Sequence, residues 1–140
     1  KVKKWFQSDL ESYNTISEIV RKAEIVRDSI GISIYDVQEK ETSLICAKAA
    51  DELLTIGNIT ASFVLGTTEN KICISGRSME DGKVCISGRS IGDVNVQMIL
   101  EKLGGGGHIT LAGAQLENVT IDEAKQELIS KINEYFEEKE

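Results

Sequence analysis

The apolar positions of this 140-residue chain change period several times, and each change predicts an element. Ile16, Ile19, Val20, Ala23 and Val26 recur at helical spacing, so a helix is expected from about Asp9 to Ser29. Ser8 with Glu11 forms a capping-box signature at its start, and Gly31 stops it. Ile32 to Val37 then alternates apolar with polar, the period of a strand. A second helix is expected from about Thr42 to Ile56 through Ala47, Ala49, Ala50, Leu53 and Leu54, with Gly57-Asn58 as its stop. Its alanines predict close packing on a sheet. Ile59 to Leu65 is rich in β-formers and reads as a strand.

A short repeat follows. Lys71-Ile72-Cys73-Ile74-Ser75-Gly76-Arg77-Ser78 returns as Lys83-Val84-Cys85-Ile86-Ser87-Gly88-Arg89-Ser90. Asp81-Gly82 between the copies is a strong turn signal, so the two are expected to pair as a β-hairpin with Cys73 facing Gly88. Asp93 can cap a short helix whose buried face is Val96, Ile99, Leu100 and Leu103. Leu111 to Leu116 reads as a strand. Thr120 with Glu123 is another capping box, opening a last helix that buries Ile121, Ala124, Leu128, Ile132, Tyr135 and Phe136. The expected fold class is α/β: one domain, a mixed β-sheet flanked by helices.

Composition narrows the function classes. The chain is 41% hydrophobic and 28% charged, enough for a real core. It has no apolar run long enough to span a bilayer and no signal peptide pattern. It begins Lys1-Val2-Lys3-Lys4, so it reads as a segment of a longer protein. A net charge of -7 argues against nonspecific duplex binding. The stretch from Lys71 to His108 is the exception, with Lys71, Arg77, Lys83, Arg89 and Lys102 outnumbering its acids, so a small anion is tolerable there. Cys46, Cys73 and Cys85 are odd in number and lack a C-x-x-C pair. They read as buried small hydrophobes in a reducing setting, not as a disulfide framework or zinc site.

The candidate chemistry centres on Gly104, Gly105, Gly106 and Gly107, which end on His108, the only histidine. Four glycines in a row cost backbone entropy. Without β-carbons they let a ligand reach the main chain and offer N–H donors to an anion. His108 adds a side-chain hydrogen-bond donor. A helix C-cap would explain Gly104 but not all four. Arg89 offers the planar fork that grips phosphate, Ser90 a hydroxyl, and Asn95 both a donor and an acceptor. Each has a plainer alternative: a solvated strand-end arginine for Arg89, capping or turn formation for Ser90 and Asn95, a structural histidine for His108. No nucleophile–base relay or metal-ligand cluster is visible, so the chain reads as the substrate-binding half of an active site.

Ile86-Ser87-Gly88-Arg89-Ser90, then Asp93-Val94-Asn95-Val96-Gln97, then Glu101-Lys102-Leu103 and the glycine–histidine run resemble the DHHA1 domain, over nearly the whole chain. This is the C-terminal, substrate-binding domain of DHH-family phosphoesterases. The Asn-Val-Gln version is most similar to membrane-anchored cyclic di-AMP phosphodiesterases of Gram-positive bacteria. The resemblance implies substrate contacts at Arg89, Ser90, Asn95, Gly104, Gly105, Gly106, Gly107 and His108. It implies that residues 1–30 are a linker helix region from a missing N-terminal catalytic domain and that 31–140 are the substrate-binding domain. Two manganese ions would sit on that missing DHH domain, leaving this chain without a cofactor, a metal ligand or activity of its own.

The implied reaction is hydrolysis of cyclic di-AMP to a linear dinucleotide. The alternatives are a nano-RNase or adenosine bisphosphate phosphatase, or a noncatalytic module for nucleotides or single-stranded nucleic acid. The implied partners are a cyclic dinucleotide or short oligonucleotide and the DHH domain in cis, with a homodimer left open. The expected location is cytoplasmic, without direct membrane contact, on a parent that is membrane-anchored. Two departures stand out. Leu111-Ala112-Gly113 replaces the family's Ala-Ala-Gly, and a bulkier Leu111 would narrow a pocket it faced. The Arg77-Ser78 copy is the weaker phosphate candidate, because it precedes the turn and not the glycine-loop helix.

Overall fold

Every residue from Ala61 to Gly66 is buried, so the strand that holds them must be covered on both faces. The cover comes from helices on each side of a mixed sheet. The computed structural model describes the backbone of residues 2–39, 41–68, 71–74, 77–80 and 83–139, and the side chains of 10–37, 41–68 and 83–139. In chain order the elements are α1 (Val2–Arg21), β1 (Glu24–Val26), β2 (Ile30–Glu39), α2 (Thr42–Leu53), β3 (Ala61–Thr68), β4 (Lys71–Ile74), β5 (Arg77–Glu80), β6 (Val84–Ser90), α3 (Val96–Glu101), β7 (Gly106–Gly107), β8 (Leu111–Leu116) and α4 (Ile121–Lys139).

Six strands form one sheet in the order β1-β2-β3-β6-β8-β7. β2 and β3 are parallel, joined by α2 as the crossover, and the other neighbours are antiparallel. One face packs on α1 and α2 through Ile19, Tyr35, Ala49, Ala50, Leu53 and Val64. The other packs on α3 and α4 through Phe63, Ile86, Leu100, Leu128, Ile132 and Tyr135. Two buried serines tie the first face to its helices. Ser33 Oγ donates to the Ile19 carbonyl and Ser62 Oγ to that of Ala50, each at 2.6 Å. The capping box of α4 forms: Thr120 N–H donates to Glu123 Oε1 at 2.9 Å, and Glu123 N–H to Thr120 Oγ1 at 3.1 Å.

Four expectations are corrected. The first helix ends at Arg21, and Ser8 lies inside it. Glu24–Val26 is instead an edge strand, turned into β2 through Arg27 and Asp28, whose φ values are 49° and 67°. Paired positive φ values mark a mirror-image hairpin turn, which normally calls for Asn or Gly, so the sequence hid it. Arg27 is held there by Nε donation to Asn133 Oδ1 at 3.0 Å and by its guanidinium over the Phe136 ring. Second, the repeat copies do not pair with each other. Lys71–Ile74 pairs with Arg77–Glu80 in a separate two-stranded hairpin, while Val84–Ser90 lies between β3 and β8. The Asp81-Gly82 turn lies outside the described residues. Third, α2 stops at Leu53, three residues short of Ile56, which is exposed. Fourth, Asn95, not Asp93, caps α3: its Oδ1 accepts from Met98 N–H at 3.0 Å.

The packing of α2 on β3 makes a direct prediction. A β-carbon at Gly66 would sit 2.4 Å from Thr42 Cγ2 and 2.6 Å from Cys46 Sγ, whereas one at Gly57 meets nothing within 4 Å. Gly66→Ala should destabilise the protein by about 1–3 kcal/mol, the cost of overpacking. Gly57→Ala should stay within about 0.5 kcal/mol of the parent. Urea melts of both variants check this, and an unchanged midpoint for Gly66→Ala would contradict the packing.

Candidate functional site

The glycine run begins as a helix end. Gly104 has a φ of 85° and its N–H donates to the Glu101 carbonyl at 3.0 Å. Gly105 N–H donates to the Leu100 carbonyl at 2.8 Å, completing a Schellman closure. Two of the four glycine N–H groups are therefore already engaged. A β-carbon on Gly105 would lie 2.2 Å from the Gly113 carbonyl oxygen. Gly107 has a φ of 145° and a β-carbon there would lie 2.4 Å from the Leu111 carbonyl oxygen. Folding alone thus explains Gly104, Gly105 and Gly107. Gly106 differs: a β-carbon would meet nothing within 4 Å, and its φ is not in the left-handed region.

Gly106 and Gly107 form β7, the edge strand, paired with Gly113 and Ala112. His108 and Leu111 exchange both main-chain bonds: His108 N–H donates at 2.6 Å, and Leu111 N–H at 3.3 Å. His108 is exposed, and its imidazole has no hydrogen-bond partner among the described residues.

Residues opposed in an antiparallel ladder share a face. Arg89 opposes Leu111 on one side and Ser62 on the other, and Leu111 in turn opposes His108. Arg89, Leu111 and His108 therefore stand in one row on the α2 face, with Gly106 opposite Gly113 on that same face. Helical cover stops at this row. Leu111, Gly113 and Gln115 are exposed, while Ala112 beneath them is buried. Leu111 thus does face the candidate site.

The Arg89 side chain is only 13% exposed. Its Nε donates to Asp51 Oδ1 at 2.9 Å and its Nη1 to the Gly88 carbonyl at 2.9 Å. Asp51 comes from α2, 38 residues away in sequence, and no local pattern singles it out. The pair fixes the guanidinium plane and leaves the Nη2 edge uncommitted by these two bonds.

Ser90 and Asn95 stand apart from that row. Ser90 opposes Ala61 and points to the other face. Its N–H donates to the Thr110 carbonyl at 3.0 Å, and its hydroxyl donates to the Ile109 carbonyl at 3.4 Å and accepts from Gly92 N–H at 3.2 Å. Just after Asn95, Val96 N–H donates to the Ile109 carbonyl at 3.0 Å. These groups hold the His108–Leu111 turn against β6 and α3.

Among the described residues, the basic side chains of this stretch meet acids from elsewhere. Lys83 reaches Glu117 at 3.6 Å, Arg89 reaches Asp51, and Lys102 reaches Glu138 at 2.6 Å. The hydrogen bond from Lys102 to Glu138 holds its ammonium above the usual lysine range. A groove of about 490 Å³ between α1 and α2, lined by Tyr13, Ile16, Val20 and Lys48, touches the site only through Asp51. Among the described residues no three His, Cys, Asp or Glu side chains gather as a metal site. Nor is any described helix long and apolar enough to cross a membrane.

The loop geometry predicts an order of tolerance. Gly105→Ala and Gly107→Ala should each cost about 1–3 kcal/mol of stability through overlap or strain. Gly106→Ala should melt with the parent. Thermal melts of the three variants check this, and a large loss for Gly106→Ala would show that the loop packs otherwise.

Comparison with known proteins places the chain. Residues 29–138 match the model of the DHHA1 domain. The chain is 43% identical over 137 residues to the cyclic-di-AMP phosphodiesterase GdpP of Geobacillus thermodenitrificans, covering 97% of this chain and 19% of that protein. It is 37% identical over 136 residues to the cyclic-di-AMP phosphodiesterase PdeA of Listeria monocytogenes, covering 96% of this chain and 19% of the relative. The chain thus spans about a fifth of the length of these relatives. Among solved structures, an exopolyphosphatase-related protein from Bacteroides fragilis shares the fold with a TM-score of 0.64 at 17% identity, over 89% of this chain and 34% of that one. With the family model matched from β2 into the last turn of α4, the chain belongs to the DHHA1 domain family.

Proposed function

We propose that this chain is the substrate-binding domain of a phosphodiesterase that hydrolyses cyclic di-AMP to a linear dinucleotide. The observation that carries the reading is the row on the sheet at which helical cover stops. Arg89, Leu111 and His108 share it, beside Gly106, a glycine that the packing among the described residues does not require. The similarity to two cyclic-di-AMP phosphodiesterases over nearly the full chain supports the choice of substrate.

The residues divide the work as follows. Arg89, oriented by Asp51, grips a phosphate with its remaining donors. His108 donates a hydrogen bond to a phosphate or sugar oxygen. Gly106 lets the nucleotide approach the main chain, and Leu111 gives the base an apolar surface. Ser90 and Asn95 hold the turn and helix that carry His108. The resemblance assigns the water-activating manganese chemistry to a DHH domain of a longer protein, and the proposal leaves it there.

Kinetics of the full-length protein with manganese and cyclic di-AMP test this reading. Arg89→Lys keeps the charge but loses the fork, and should cost about 1–3 kcal/mol in kcat/KM. Arg77→Lys should cost much less. His108→Ala should lower kcat/KM without moving the melting temperature, since the residue is exposed. The chain alone should show no turnover. Equal effects at Arg77 and Arg89, or turnover by the chain alone that His108→Ala abolishes, would sink the proposal.

A further inference from the structure

Two thiols that the proposed function leaves unused meet where α2 packs on β6. Cys46 on α2 is fully buried and Cys85 on β6 is 8% exposed. Gly66 opposes Cys85 on the neighbouring strand β3. A β-carbon at Gly66 would lie 2.6 Å from Cys46 Sγ and 3.6 Å from Cys85 Sγ. Both sulfurs thus border the space that this glycine leaves open.

The thiols are hydrogen-bonded to each other, and the bond is asymmetric. Cys46 donates to Cys85, which also accepts from Ser43 and from the Gly66 N–H. These donors hold Cys85 below the ordinary thiol range, first through Cys46. The same bond pushes Cys46 upward, with burial adding to it. Of the two, Cys85 is the readier to give up its proton, and Cys46 is the thiol beside it. The sequence, with its odd cysteine count and no C-x-x-C, gave no sign that these two meet.

We propose that Cys46 and Cys85 form a redox site, a thiol pair that a small hydroperoxide converts into an intramolecular disulfide tying α2 to β6. In the first step the Cys85 thiolate attacks a peroxide oxygen. The S–O bond forms, the O–O bond breaks, and hydroxide leaves to take up the proton Cys85 had released. In the second step the Cys46 sulfur attacks the Cys85 sulfur. The S–S bond forms, the S–O bond breaks, and the leaving hydroxide takes the Cys46 proton. The thiol pair loses two electrons and the peroxide gains two, so one hydrogen peroxide gives two waters. The sulfurs, which border the same space beside Gly66, close to the ~2.05 Å of a disulfide. Burial confines the reaction to a small oxidant. The new bond would join the two elements already joined by the Arg89–Asp51 pair, since Arg89 follows Cys85 on β6 and Asp51 follows Cys46 on α2.

Peptide mapping of the folded protein tests this. The reduced protein is treated with hydrogen peroxide, and in parallel with oxidised glutathione. It is then unfolded in an alkylating reagent and digested with trypsin without reductant. The cysteines fall in distinct peptides, Glu41–Lys48, Val84–Arg89 and Ile72–Arg77. Peroxide should link the first two, dithiothreitol should release them, and Cys73 should remain alkylated. Glutathione should be far slower. Cys73→Ser should leave the link intact, and Cys85→Ser should abolish it. Cys46 and Cys85 both alkylated after peroxide, oxidised separately without a link, or linked through Cys73 would each overturn the proposal. The wild-type map alone decides, so a variant that fails to fold does not blunt the test.

Discussion

The depth at which α2 lies against the centre of the sheet is the constraint on which the rest of this structure depends. Ala49 and Ala50 are fully buried, Gly66 has no side chain to hold the helix off, and Ser62 bonds to the Ala50 carbonyl. Small residues on both partners remove the bulk that would otherwise set a wider spacing. The close approach brings Asp51 to Arg89 and Cys46 to Cys85. It also leaves helical cover centred on β3 and reaching only as far as β6, so that one face of β8 stays open.

The strand β6 turns that asymmetry into the candidate site. Val84, Ile86 and Gly88 face the α3–α4 core, while Cys85, Ser87 and Arg89 face α2 or the open surface. Gly88 is itself constrained, since a β-carbon there would lie 2.9 Å from Phe63 Cε1. The end of the strand then fixes the turn that carries His108. Ser90 holds Thr110 and Ile109 from one side, and Val96 holds Ile109 from the other. Polar groups that look like ligands in the sequence thus serve the fold, and the residues they hold face solvent.

Legibility in the sequence follows from how local each determinant is. The helix α4 was legible because its capping box and apolar stripe lie within one segment. The half-buried alternation of β8 was legible for the same reason. The strand β1 was not, because Val20, Ala23 and Val26 kept helical spacing across its boundary and the Arg27-Asp28 turn lacks the expected glycine. The repeat misled because near-identical segments take different partners, and pairing across the sheet is set by neighbours distant in sequence. Arg89, Gly106 and His108 could be proposed for the site by residue type, whereas Asp51 and the Cys46–Cys85 contact depend on α2 docking and leave no local trace. The glycine run was read as one functional unit, yet three of its members answer to the backbone.

The central claim is that the open row on β6, β8 and the His108 turn is the nucleotide-binding face. Amide chemical-shift mapping of this chain during titration with cyclic di-AMP tests it most directly, because it reports where the ligand lands independently of turnover. The account predicts shifts at Arg89, Gly106, His108, Leu111 and Gln115, with Tyr13 and Lys48 in the α1–α2 groove unmoved. Shifts confined to that groove or to α4, or none at a saturating ligand concentration, would contradict it.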